Sequence, residues 1–139
     1  MGDHGQSPAN WGTSDCELDK MAKDLGIKNY KGCFMSDQLK FRIPEECECG
    51  IINSSDSTTD GKHWFCWYKN GDTKIFFDSF GTNPPEELIE YLGHGIKSST
   101  FQLQNINSDI CGELSLLILY LLDRGHNYED IILDIVYKL

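Results

Sequence analysis

Positive charge is scarce in this sequence. Its 139 residues hold 12 lysines and arginines against 22 aspartates and glutamates, a formal net charge of −10, and no three basic residues are adjacent. A nucleic-acid-binding face is built from clustered basic side chains, so DNA is not an expected partner. A membrane-spanning run is also missing. The most apolar stretch, Ile110 to Leu122, is 13 residues long and contains Glu113, whereas a bilayer span needs about 20 apolar residues. Cysteine is present, but patterned cysteine is not. Cys16, Cys33, Cys47, Cys49, Cys66 and Cys111 follow no disulfide spacing, and no secretory signal precedes them. The one close pair, Cys47-Glu48-Cys49, has neither the Cys-x2-Cys form nor the second ligand pair of a zinc site. No metal and no cofactor is expected, and the thiols are expected to be reduced, inside a cell rather than secreted.

What is present suffices for one packed domain, since hydrophobic residues make up 40% and aromatic residues 12% of the chain. Residues 1–13 carry little besides Trp11 that packs, and a loose start is expected there, with a single domain over 14–139. Ser14-Asp15-Cys16-Glu17 has the form of a capping box, and Leu18, Met21, Ala22 and Leu25 follow at helical spacing up to Gly26. Asn29 to Met35 and Cys49 to Asn53 are expected to be extended, with a turn at Ser36–Leu39. Between the extended stretches, Glu45, Glu46 and Glu48 suggest a solvated acidic rim. His63 to Tyr68 is apolar or aromatic at nearly every position, as in a strand covered on both faces. Asn70-Gly71-Asp72 is a turn leading to a second strand that ends at Phe77-Asp78. Asn83-Pro84-Pro85-Glu86-Glu87 opens a helix that runs to about Leu92 and stops at Gly93. His94, between two glycines, is a loop histidine. Phe101 to Asn105 is a short strand, and Asn127 caps a last amphipathic helix.

The stretch from Gln104 to Leu122 organises the rest. The polar residues Asn107, Ser108 and Asp109 offer caps, and the apolar run after them predicts a helix buried on all sides. Cys111 then sits in the first turn, where unpaired N–H groups and the helix dipole favour a thiolate. Gly112 beside it would leave open space near the sulfur. A buried structural cysteine at a helix start is the plain alternative. A thiolate nucleophile needs a base, and the base an orienting group. The hairpin across Asn70-Gly71-Asp72 is expected to bring His63 and Asp78 side by side, with Asp78 holding the imidazole. The Gln104 amide and the Cys111 N–H would form an oxyanion hole.

His63-Trp64, then Phe77-Asp78-Ser79-Phe80-Gly81, then Gln104-x6-Cys111-Gly112, in this order, resemble the adenovirus-type processing protease, adenain. That family lies in the clan that also holds the SUMO-specific proteases. The likeness extends to Ser14–Gly26, similar to the adenain N-terminal helix, and to Cys49–Ser54, similar to the strand before its histidine. The resemblance implies Cys111 as nucleophile, His63 as general base and acid, Asp78 as orienting acid and Gln104 as oxyanion donor. It offers Trp64 a second reading besides a core aromatic, as the roof of a narrow tunnel that admits only glycine-like residues, with Gly112 also on the substrate path.

The implied fold is α+β, a small mixed or antiparallel sheet packed on the buried helix that carries the cysteine, with flanking helices. The implied activity is cleavage of precursor proteins of a virus or virus-like element at glycine-containing sites. Two alternatives are a deconjugase of ubiquitin-like modifiers and a non-enzymatic binding relic, against which stands the presence of all four residues together. Protein substrates are the expected partners, with an activating peptide an open question because no cysteine lies between Ser79 and Gln104 to tether one. A monomer in the host nucleus or cytoplasm, or in the virion, is expected.

Overall fold

The hairpin signalled by Asn70-Gly71-Asp72 is the centre of the sheet. In the computed structural model, which describes residues 15–53, 63–79, 81–98 and 111–138, β3 (Trp64–Asn70) and β4 (Thr73–Phe77) pair antiparallel, with Gly71 in the left-handed region at φ 61°. A second antiparallel neighbour, β2 (Cys47–Asn53), pairs with β3 so that Asn53 faces Trp64 and Gly50 faces Trp67. β1 (Tyr30–Met35) and β5 (Ile96–Ser98) add parallel strands at the two edges. The result is a five-stranded mixed sheet in sequential order, with helices on both faces: the α+β fold expected. The three-residue β5 is an addition, because its sequence carries no alternation long enough to announce it.

Alternation along β3 assigns the two faces. Trp64 and Cys66 point to one core, shared with α1 (Asp15–Leu25), α3 (Cys111–Asp123) and α4 (Tyr128–Lys138). Phe65 and Trp67 point to the other, shared with the 3-10 helix Ser36–Phe41 and α2 (Glu86–Leu92). Trp67 is fully buried and its outer ring carbons lie over Gly50, where a Cβ would come within 2.4 Å of the ring. Only a residue without a side chain permits that approach.

Helix ends follow their local chemistry. Gly26, at φ 72°, closes α1, with its N–H on Lys23 O and the Ile27 N–H on Ala22 O. Asn127 caps α4, its Oδ1 accepting the N–H groups of Glu129 and Asp130 at 2.9 and 3.3 Å. Two expectations are corrected. The helix α3 is not buried on all sides: Cys111, Ser115, Ile118, Leu119 and Leu122 face inward, while Glu113 and Leu117 face out, Leu117 being 43% exposed. A two-sided cover would require a further layer, whereas α3 is sandwiched by the sheet on one side and flanked by α1 and α4. Glu48 does not belong to a solvated rim. It is buried, accepting hydrogen bonds from Trp67 Nε1 at 3.1 Å, Tyr91 Oη at 2.6 Å and the Glu45 N–H at 2.5 Å, which replace its water. Glu45 and Glu46 are exposed, as a rim requires. Among the described residues no helix is long and apolar enough to cross a membrane.

Candidate active site

Antiparallel pairing puts the start of β3 and the end of β4 at the same end of the sheet. His63, which precedes β3, and Asp78, which follows β4, are therefore neighbours although 15 residues apart. Both are buried, and the Asp78 Oδ1 accepts from His63 Nε2. The other ring nitrogen, Nδ1, is 3.1 Å from Cys111 Sγ at the first residue of α3. The sulfur also accepts the Trp64 backbone N–H at 3.3 Å. Sulfur, imidazole and carboxylate thus stand in one line.

The electrostatics follow from this line. Burial disfavours the imidazolium, but the hydrogen bonds to Asp78 and Cys111, with the charges behind them, outweigh it and push His63 up to about 9. At neutral pH the ring holds its second proton between a carboxylate and a sulfur. A neutral ring with its N–H on Nε2, toward Asp78, would present the Nδ1 lone pair to the thiol. The other buried cysteines lack such company. Burial first, then Asp123 and Glu48, against a smaller opposing effect of Lys31, push Cys49 up to about 12. Burial likewise raises the Cys66 thiol.

His63, Asp78 and Cys111 are thus brought together. Gln104 and the strand expected around it lie outside the described residues, as do the caps at Asn107, Ser108 and Asp109 and the capping serine Ser14. Trp64 is buried against the Cys111 side of the sheet, 6% exposed. Gly112 is buried too, and the space beside it is filled rather than open: a Cβ there would lie 3.0 Å from Trp64 Cδ1 and from Leu18 Cδ1. The absent side chain makes room for α1 and Trp64 to close on the helix start. Two contacts were not legible in the sequence. One is the Trp64 N–H on the sulfur, a backbone donor that any residue would supply. The other is Thr82, whose N–H reaches Asp78 Oδ2 at 3.3 Å and whose hydroxyl donates to the same oxygen. Its only signal is the preceding Gly81. Among the described residues no cluster suited to a metal ion occurs.

A thiol, an imidazole and a carboxylate in hydrogen-bonded sequence are the parts of a cysteine protease site. No family model matches the chain. The protease of bovine adenovirus 2 is 34% identical over 128 residues, covering 78% of this chain and 62% of that protein. The protease of human adenovirus B serotype 3 is 36% identical over 73 residues, 50% of this chain and 35% of that protein. The chain therefore spans between roughly a third and three fifths of these relatives. The crystal structure of the ASFV protease superposes with a TM-score of 0.58 at 19% identity, covering 86% of this chain and 61% of that one, and so shares the fold. The chain is thus similar in sequence to the adenovirus proteases and shares the fold of a viral protease.

Proposed function

We propose that the chain is a thiol endopeptidase that cleaves precursor proteins of a virus or virus-like element beside glycine. The observation that carries this reading is the contact of His63 with both Cys111 Sγ and Asp78 in a chain related to named proteases. His63 Nδ1 already holds the proton given up by Cys111, and the thiolate sulfur attacks the scissile carbonyl carbon. The Cys111 N–H and the Gln104 amide hold the resulting oxyanion. Collapse breaks the C–N bond, and the proton on His63 goes to the leaving amine. Water, deprotonated by His63, then attacks the thioester and releases the carboxylate product and the Cys111 thiol. Asp78 keeps the ring in the working tautomer throughout. Trp64, packed over Gly112 at the start of α3, narrows the approach to Cys111 and restricts it to small residues.

The substrate is protein, the working form a monomer in the host nucleus or cytoplasm or in the virion, and DNA has no role in a chain of net charge −10. The test is a paired panel: fluorogenic peptides with glycine flanking the cut, and ubiquitin and SUMO carrying C-terminal fluorophores. The expected result is cleavage of the peptides alone, lost in Cys111→Ala. Cleavage of the modifiers would move the chain to the deconjugases. Silence on peptides and modifiers alike, with or without candidate peptide activators, would contradict the reading.

A further inference from the structure

The chain after β4 turns back on itself. The Gly81 N–H bonds to Asp78 O at 2.9 Å, and Gly81 adopts φ 74°, a left-handed conformation that side chains disfavour. This tight turn delivers the next residue, Thr82, to the far side of the Asp78 carboxylate. There its N–H, at 3.3 Å, and its hydroxyl both donate to Oδ2, while Oδ1 accepts from His63. We propose that Thr82 is the positioning residue of the site, its two donors holding the Asp78 carboxylate so that Oδ1 stays on His63 Nε2. Thr82 bonds to Asp78 and acts on the site through it. The inference rests on the reading of Cys111 and His63 as a working pair.

Oδ2 of a buried carboxylate needs donors, because the water that would serve it has been removed. Two donors from one residue fix the rotation of the carboxylate as well as its solvation, and the hydroxyl is the part a substitution can remove. Since Thr82 is exposed, exchanging its side chain disturbs no core. Among the described residues, Asp78 at the end of β4 and Cys111 on α3 are titratable groups that act on His63, so a change in the hold on Asp78 is read out at the sulfur.

The experiment is the pH profile of Cys111 alkylation by iodoacetamide, resolved by peptide mass spectrometry, for the native chain and for Thr82→Val, Thr82→Ser and His63→Ala. Thermal unfolding of each variant runs alongside as the control for folding. The expected result is a rate at pH 7 about fivefold lower in Thr82→Val, with the limb of the profile assigned to His63 displaced to lower pH and unfolding unchanged. Thr82→Ser, which keeps the hydroxyl, stays within about twofold of the native chain. A Thr82→Val profile superimposed on the native one, or a Thr82→Ser loss as large as that of valine, overturns the proposal. A rate indifferent to His63→Ala overturns both this proposal and the reading beneath it. A native chain whose alkylation depends on His63 but which cleaves none of the glycine-flanked peptides refutes the endopeptidase reading alone, and Thr82 is still decided by its own profile.

Discussion

Burial alone makes a cysteine inert, and Cys49 and Cys66 illustrate it: both are covered by the core, and burial holds both as thiols. Cys111 is equally covered but has an imidazole at 3.1 Å and a backbone N–H at 3.3 Å. Replacing it with alanine is expected to abolish peptide cleavage. Asp78→Asn should lower kcat by about 10²-fold or more with little change in KM, because the amide can hold the wrong tautomer. Steady-state kinetics on a glycine-flanked peptide checks both. His63 also makes a claim about stability. Its folded-state value is raised, to about 9 from an ordinary 6.5, so its contribution is complete below pH 6.5 and is lost as the pH rises through about 9. Urea midpoints at pH 6.5 and 9.5 should therefore converge for the native chain and His63→Gln at the higher pH. An equal gap at both would count against the charged ring. His63, Asp78 and Cys111 were legible in the sequence because each is a chemistry-bearing residue in a distinctive local context. Thr82 and the Trp64 N–H were not, since a hydroxyl in a loop and a backbone donor leave no pattern. Glu48 was misread because its partners Trp67 and Tyr91 lie 19 and 43 residues further along.

At the scale of elements, the site depends on β3 lying in one register between β2 and β4. Gly50 secures that register by admitting the ring of Trp67. Gly50→Ala should cost about 1–3 kcal/mol by overpacking, measured by denaturant unfolding, since neither the ring nor the Gly32 carbonyl 3.0 Å away can yield freely. Asn127→Ala removes the cap of α4 and should cost about 1 kcal/mol in the same assay without altering Cys111 alkylation. Helices α1, α2 and α4 and the central hairpin were readable from local signals: periodicity and Gly26 for α1, prolines and Gly93 for α2, the Asn127 cap for α4 and Asn70-Gly71-Asp72 for the hairpin. The full burial expected of α3 was not correct. Its apolar residues run all round the helix, but the fold provides neighbours on only part of its circumference, leaving Leu117 at the surface. The edge strand β5 depends on pairing with β4, not on its own residues.

For the molecule as a whole, the acidic surface and the line from sulfur to carboxylate set the expectations. Double-stranded DNA added at low salt should leave the peptide cleavage rate unchanged, because a net charge of −10 opposes encounter with the phosphate backbone. A rate that rises with DNA and falls back with added salt would overturn that expectation. An α+β fold, a small mixed or antiparallel sheet with flanking helices, could be anticipated, though not that helices cover both faces, and the relation to adenovirus proteases followed from the order of the His, Asp and Cys contexts. The most direct test of the thiol endopeptidase reading is trapping the nucleophile. The chain is incubated at neutral pH with a glycine-terminated peptide bearing a vinyl sulfone, then digested and mapped by mass spectrometry. The expected result is one adduct per chain, on Cys111, absent from His63→Ala. An adduct spread over several cysteines, or one on Cys111 that forms equally fast without His63, would contradict it.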